Sequence, residues 1–309
     1  MSCHTRVIFL SNDFEVVGNL YAPTVGAPDR RGAAIIVGHP YTGVKEQTAG
    51  FYAEYCAKNG FYALAFDATY QGESSGEPRG LEYPAQRVED FKSAASYLTT
   101  LKGLVDPERI GVLGICGSGG YVCSAAQSDV RIKAAVSLVP YCVGRAARNG
   151  GPNEEDKPNS AAIAGMLKFS ADTRNAISQG NKVEAVEFRP KSVEEIPADM
   201  GSFMRKGTHY YLGTGFHPRS TGKVHPKSWD LMINYDSFAL NNLISPRPLL
   251  VIGCEDAETL HFAKEAYEAA LEPKEIFIVP SKGHFDIYQD ASVAGPKTVQ
   301  FLEKHLCGA

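Results

Sequence analysis

The sequence predicts an α/β fold: a mostly parallel central sheet, helices on both faces, and a mainly helical lid inserted late in the chain. Three observations carry this. First, residues 33–37, 61–66, 110–115, 132–140, 248–253 and 275–279 are short apolar runs, as in strands buried on both faces. Second, stretches with helical spacing separate most of them, and strand–helix–strand alternation demands parallel pairing through crossovers. Third, residues 141 to about 245 lack any such run and carry polar, glycine- and proline-rich clusters such as Asn149-Gly150-Gly151-Pro152-Asn153. The core is therefore expected to span 1–140 and 246–309, and the lid 141–245.

The elements follow in order. Val7 to Leu10 and Val16 to Tyr21 flank Ser11-Asn12-Asp13, a turn signal, and read as a hairpin. A helix is expected over 47–59, with Phe51, Tyr55 and Cys56 on one face and Asn59-Gly60 ending it. Residues 83–101 repeat Val88, Phe91, Ala95, Leu98 and Leu101 at helical spacing. Further helices are expected over 121–128, 261–271 and 293–306.

Composition narrows the function. The chain has 309 residues and a net charge of −4, so no basic face suits nucleic acid or an anionic membrane. No run approaches the ~18–20 apolar residues of a membrane span. The seven cysteines are scattered, without CxxC spacing, which points to reduced thiols in a cytoplasmic setting. Histidines form no metal pair: His261 and Glu265 are four apart, but no second histidine joins them. Neither a metal nor a cofactor is expected.

The chemistry concentrates at strand ends. Ile110-Gly111-Val112-Leu113-Gly114-Ile115 runs into Cys116-Gly117-Ser118-Gly119-Gly120. A strand that turns this sharply into a helix needs small residues two before and two after its apex, here Gly114 and Ser118. Cys116 then stands at the apex as the nucleophile of an α/β-hydrolase elbow, in serine's usual place. A rival register with Ser118 at the apex leaves two extra residues after the strand. A third reading makes Cys116 an inert core thiol.

The loop after the third strand, His39-Pro40-Tyr41-Thr42-Gly43, supplies one oxyanion donor in this fold, assigned to Tyr41 with Thr42 as alternative; Gly117 supplies the other. His39 is read as a structural histidine, and Asp67 as a carboxylate that ties its loop through backbone amides. Asp256, three after the strand-ending Gly253, is the expected acid, with Glu255 and Glu258 also near enough. His284 follows the last strand and is the expected base, with Asp286 bracing its loop. Together these define a Cys-His-Asp triad in the order nucleophile, acid, histidine. His284 would take the thiol proton or hold a thiolate–imidazolium pair, aided by the helix N-terminus behind Cys116. A thiolate exchanges readily with thioesters, which favours a thioester donor. Phe203, Met204, His209, Tyr210, Tyr211, Phe216 and Trp229 could line an acyl pocket or simply pack the lid.

These motifs resemble the cysteine-type branch of the dienelactone-hydrolase-like α/β-hydrolases. The elbow at Cys116, His39-Pro40-x-x-Gly43-Val44-Lys45-Glu46-Gln47 and His284-Phe285-Asp286-Ile287-Tyr288 carry the likeness. Tyr210-Tyr211 and His217-Pro218-x-Ser220 extend it to the fungal polyketide transferase and thiohydrolase group. The resemblance implies release of a polyketide acyl chain to water or an alcohol. The partners it implies are a small-molecule or carrier-bound acyl thioester and a polyketide synthase; a homodimer is compatible with it. The competing functions are a carboxylesterase or lactonase with a cysteine nucleophile, and a non-catalytic acyl-binding module.

Overall fold

The computed structural model describes residues 4–152 and 158–308. Cys3 and Asn153 lie outside the described residues. The hairpin forms from β1 (His4–Ser11) and β2 (Phe14–Tyr21), and β3 (Ala34–Gly38) follows. Then come α1 (Gly50–Lys58), β4 (Tyr62–Phe66), α2 (Pro84–Thr99), β5 (Ile110–Ile115), α3 (Gly117–Ser128) and β6 (Ile132–Leu138). The segment between β6 and the next core strand holds α4 (Val143–Asn149), α5 (Ser160–Ser178), β7 (Val186–Glu187), α6 (Ser202–Leu212), β8 (Lys223–Val224) and α7 (Ser228–Ile233). The core resumes with β9 (Leu249–Cys254), α8 (Leu260–Glu268), β10 (Lys274–Val279) and α9 (Ala294–Leu302).

Eight strands form one sheet in the order β1-β2-β4-β3-β5-β6-β9-β10. It is antiparallel at β1–β2 and β2–β4 and parallel from β4 through to β10. Alternation sorts the core. Ile36, Val112 and Ala135 face the layer that holds Phe91, Leu98, Val122 and Phe262. Ile35, Val37, Leu113 and Ile115 face the layer that holds Tyr52, Cys56 and Phe301. Both faces are thus covered by helices, so the strands read as uninterrupted apolar runs rather than alternating ones. The inserted segment is mainly helical as expected, but β7 and β8 add a two-stranded ribbon too short to leave an apolar run.

Two buried charge clusters pin the loops at the top of the sheet. Lys45, 1 % exposed, donates through its backbone N–H to Asp67 Oδ1 at 2.7 Å and through Nζ to Oδ2 at 2.8 Å. Oδ2 also accepts the Glu73 N–H at 2.9 Å, so Asp67 ties its loop through amides as expected and binds a lysine as well. Glu46, Asp67 and Glu73 converge, but the Lys45 ammonium lies among them and supplies the positive charge. The second cluster joins Arg87 to Glu82 at 3.3 Å, with the Tyr121 hydroxyl donating to Glu82 at 2.6 Å. Arg87 Nη2 donates to the His39 carbonyl at 3.0 Å.

Removing one partner of such a buried pair strands the other charge. Lys45→Met should therefore lower stability by about 3–5 kcal/mol in urea unfolding. Lys168→Ala, which breaks the exposed Lys168–Asp172 pair, should leave the midpoint unchanged.

Candidate active site

Cys116 caps the end of β5 with φ +56° and ψ −118°, a left-handed conformation that a non-glycine residue adopts at a cost. Its neighbours show why small residues are required. A Cβ on Gly114 would lie 2.0 Å from the Ser118 carbonyl oxygen, and one on Gly38 would lie 2.2 Å from Phe91 Cζ and 2.7 Å from Ser118 Oγ. Ser118 stands where glycine is usual because its hydroxyl has a function. It donates to the His39 carbonyl at 2.6 Å and lies 3.2 Å from Arg87 Nη2. This commitment, 1 % exposed inside α3, removes Ser118 as a rival apex.

The two expected oxyanion amides converge on the sulfur. The backbone N–H groups of Gly117 and Tyr41 both act on Cys116 in favour of its thiolate. A Cβ on Gly117 would meet the Tyr41 nitrogen at 3.2 Å, so the two amides lie side by side. Thr42, the alternative donor, has φ +60°, which is strained for a β-branched residue. Its Oγ1 accepts from Arg189 Nη1 at 3.0 Å. His39 is structural, as expected: Nδ1 bonds the Pro40 carbonyl at 2.8 Å and Nε2 accepts the Ala68 N–H at 3.1 Å.

His284 reaches the sulfur through an intermediary. Its Nε2 is 2.9 Å from the Tyr288 hydroxyl, and Tyr288 borders the same cavity as Cys116 and favours its thiolate. The three groups form a chain of thiol, phenol and imidazole. His284 and Tyr288 are fully buried, and Cys116 is 6 % exposed. Phe203 and Phe285 pack their rings on His284 at 5.0 and 4.8 Å.

The expected acid is displaced. His284 Nδ1 lies 2.6 Å from Thr259 Oγ1, not from Asp256. After β9 the chain turns Glu255 and Asp256 outward into solvent, and folds Ala257 and Thr259 inward. Asp256 uses its backbone N–H on the Lys282 carbonyl at 3.0 Å. Glu255 accepts the Ser281 N–H at 2.9 Å and braces the following loop. Glu258 is the carboxylate whose charge supports protonation of His284, but it bonds Ser202 at 2.5 Å and Lys206 at 2.8 Å. Among the described residues its buried Oε2 has no hydrogen-bond partner. Asp286 accepts the Gly283 N–H at 2.7 Å and braces the histidine loop as expected.

Burial sets the resting charge state. It pushes the Cys116 thiol up to about 11, although Tyr288, the two amides and Arg87 pull the other way. Burial also draws His284 down to about 3 against the support of Glu258. The resting pair is a neutral thiol and a neutral imidazole, not the thiolate–imidazolium alternative.

Helix α6 roofs the sulfur. Phe203, Met204, Gly207, Thr208 and Tyr211 recur at helical spacing and line a cavity of about 40 Å³ together with Cys116. Met204, Phe188, Tyr41 and Tyr141 also wall a second cavity of about 270 Å³ that extends to Met166, Trp229 and Met232. Of the aromatic residues expected in an acyl pocket, His209 and Tyr210 border an outer cleft instead. Tyr210 packs on Tyr288 at 4.9 Å, and Phe216 is 63 % exposed and lines none of these spaces.

Tyr288, Thr259 and Arg189 were not assigned roles from sequence. Tyr288 closes the His284-to-Tyr288 motif, four residues after the histidine in the same turn, which is the signal that could have found it. Among the described residues the cysteines are all free, and no helix is long and apolar enough to cross a membrane.

No family profile matches the chain. The uncharacterised protein PA2218 of Pseudomonas aeruginosa is 32 % identical, covering 98 % of this chain and 81 % of its own. Its crystal structure superposes with a TM-score of 0.87 over 98 % of this chain and 94 % of that one. Thiohydrolase aneE of Aspergillus aculeatus is 25 % identical over 99 % of this chain and 94 % of its own. Polyketide transferase af380 of Aspergillus fumigatus is 26 % identical over 94 % of each. The α/β-hydrolase GrgF of Penicillium shares the fold, with a TM-score of 0.80 at 20 % identity over 98 % of this chain and 99 % of that one. The protein is thus an α/β-hydrolase-type enzyme of the hydrolase or acyl-transferase class. It belongs to the family of PA2218, with the fungal thiohydrolases and polyketide transferases as more distant relatives.

Two measurements follow from the charge state. Alkylation of Cys116 by iodoacetamide, mapped by peptide mass, should rise continuously from pH 6 to about 9.5, since a thiol titrating near 11 gives no plateau. Folding stability should fall as pH drops from about 6.5 toward 3, because the unfolded chain takes up a proton that His284 refuses. His284→Leu should flatten that slope by up to about 1.4 kcal/mol per pH unit in urea titrations at pH 7 and 5.

Proposed function

We propose that the protein is an acyl-thioester hydrolase or acyltransferase that works through an acyl-Cys116 intermediate, on a polyketide-type acyl chain released from a carrier. The observation that carries this reading is the convergence on one sulfur of two oxyanion amides and a thiol–phenol–imidazole chain.

The steps use these groups in turn. With Nδ1–H donating to Thr259, His284 Nε2 accepts a proton from Tyr288, which takes the Cys116 proton in the same motion. Because the resting pair is neutral, this transfer accompanies attack of sulfur on the thioester carbonyl. The carbonyl oxygen gains the electron pair and takes over the Tyr41 and Gly117 amides, each donor worth about 2.7–4 kcal/mol in comparable sites. Collapse breaks the donor C–S bond, and the imidazolium returns its proton to the leaving thiol. His284 then takes a proton from water or an alcohol, whose oxygen attacks acyl-Cys116; the acyl–sulfur bond breaks, the acid or ester leaves, and the imidazolium returns its proton through Tyr288 to restore the thiol.

The thioester preference rests on sulfur chemistry. Entering and leaving thiolates are alike, whereas an alkyl ester favours expulsion of the cysteine again. The cavity at Cys116 holds the reacting carbonyl, and the larger space beyond Met204 and Phe188 has the apolar lining and volume for an acyl chain. The names of the thiohydrolase and polyketide transferase relatives support both the reaction and the substrate class.

Incubation with N-acetylcysteamine thioesters of increasing chain length tests the proposal. Intact mass should gain one acyl group on Cys116, and Cys116→Ala should show neither adduct nor turnover. Tyr288→Phe should lower kcat by about 10²–10⁴, the usual weight of a proton-transfer group. Asp256→Asn should leave kcat unchanged. Faster turnover of short aryl esters than of every thioester would favour the carboxylesterase reading and defeat this one.

A further inference from the structure

The Cys116 cavity contains a cation that, among the described residues, touches no carboxylate; Glu187 acts on it only from a distance. Arg189 follows β7, is 8 % exposed, and lines the same cavity of about 40 Å³ as the nucleophile. Its guanidinium stands over the Tyr211 ring at 4.3 Å. Nη1 donates to Thr42 Oγ1 at 3.0 Å, and Nη2 donates to the Ser220 carbonyl and hydroxyl at 2.8 and 3.1 Å. These bonds are all to neutral oxygens. Among the described residues no carboxylate lies within 4 Å of the group, whereas the buried Lys45 and Arg87 each have one.

Such an arrangement is costly if it only braces the fold. A buried charge without an opposite charge forfeits several kcal/mol of hydration, and cation–π contact with Tyr211 returns part of it. Ser220 and Thr42 are themselves linked, with the Ser220 hydroxyl donating to the Thr42 carbonyl at 2.8 Å. The guanidinium is therefore held rigidly, one residue from the Tyr41 oxyanion amide. Three of its five N–H groups are used, which leaves donors for a ligand. Thr42, strained at φ +60°, is the residue that joins this cation to the oxyanion loop.

We infer that Arg189 is an anion subsite for the acyl group: the substrate carries an anionic oxygen group within a few bonds of the thioester carbonyl. The small shared cavity sets that short reach. The inference rests on the acyl-transfer reading for its substrate and deepens it by naming a specificity determinant. A carboxylate and the enolate of a 1,3-dicarbonyl present the same chemistry to the guanidinium, and both fit the available donors.

The binding test is independent of turnover. In Cys116→Ala protein, calorimetric titration compares monomethyl succinate with dimethyl succinate. The monoanion should bind about ten- to hundredfold tighter, the usual weight of charge-assisted hydrogen bonds. Arg189→Gln should bring the two affinities together, and Arg189→Lys should restore part of the difference. Equal affinities in protein that retains Arg189 overturn the inference, whether or not the Gln variant folds. A preference that survives Arg189→Gln overturns it as well.

Turnover by the wild-type enzyme then separates the sources. Succinyl, 3-oxobutyryl, butyryl and ester-capped (monomethyl) succinyl thioesters are compared by kcat/KM. A succinyl preference identifies a carboxylate, and a 3-oxobutyryl preference an enolate. Anion-selective binding with no thioester turned over would sink the acyl-transfer reading and leave the subsite standing.

Discussion

The left-handed backbone of Cys116 is the constraint that the rest of the site obeys. It lifts the sulfur off the sheet at the start of α3, and it is affordable only where Gly114, Gly38 and Ser118 leave room. Once that turn exists, the Gly117 amide follows automatically, because the first N–H of a helix has no internal partner. The second amide must be brought in. Arg87 and Ser118 do so by gripping the His39 carbonyl, which fixes the strand-end loop that leads to Tyr41. The buried Glu82–Arg87 pair is thus as much a part of the site as the residues that touch the sulfur.

Burial then decides how the sulfur behaves. In an exposed cleft, a cysteine beside a histidine could rest as an ion pair. Here both groups lie under α6 among Phe203, Phe285 and Tyr211, and desolvation outweighs every favourable contact. The Tyr288 phenol resolves the conflict. It keeps thiol and imidazole connected without asking either to hold a charge. Thr259 serves the imidazole in the same uncharged manner, while the Glu258 carboxylate stays engaged with Lys206 and Ser202.

The core was largely legible in the sequence because buried parallel strands are written as apolar runs, and the candidate site residues sit where those runs end. Cys116, Tyr41, Gly117 and His284 follow β5, β3 and β10 at short, regular distances. Asp256 failed for a physical reason. The spacing after Gly253 was right, but the turn sends residues 255 and 256 into solvent and brings Thr259 inward, and a carboxylate count cannot reveal the direction of a turn. Arg189 was hidden differently. It belongs to a segment of short irregular elements, where no periodicity marks which side chains face the core. Tyr211 and Ser220, which carry part of the sequence resemblance, turn out to hold its guanidinium.

A thiol that stays protonated at rest also behaves differently toward oxidants. Peroxides attack thiolates and leave thiols largely alone, so sulfenic acid formation tracks the ionised fraction. By burying Cys116 beside Tyr288 rather than a cationic histidine, the fold keeps that fraction small. The sulfur so held gives up some resting nucleophilicity and gains resistance to oxidation.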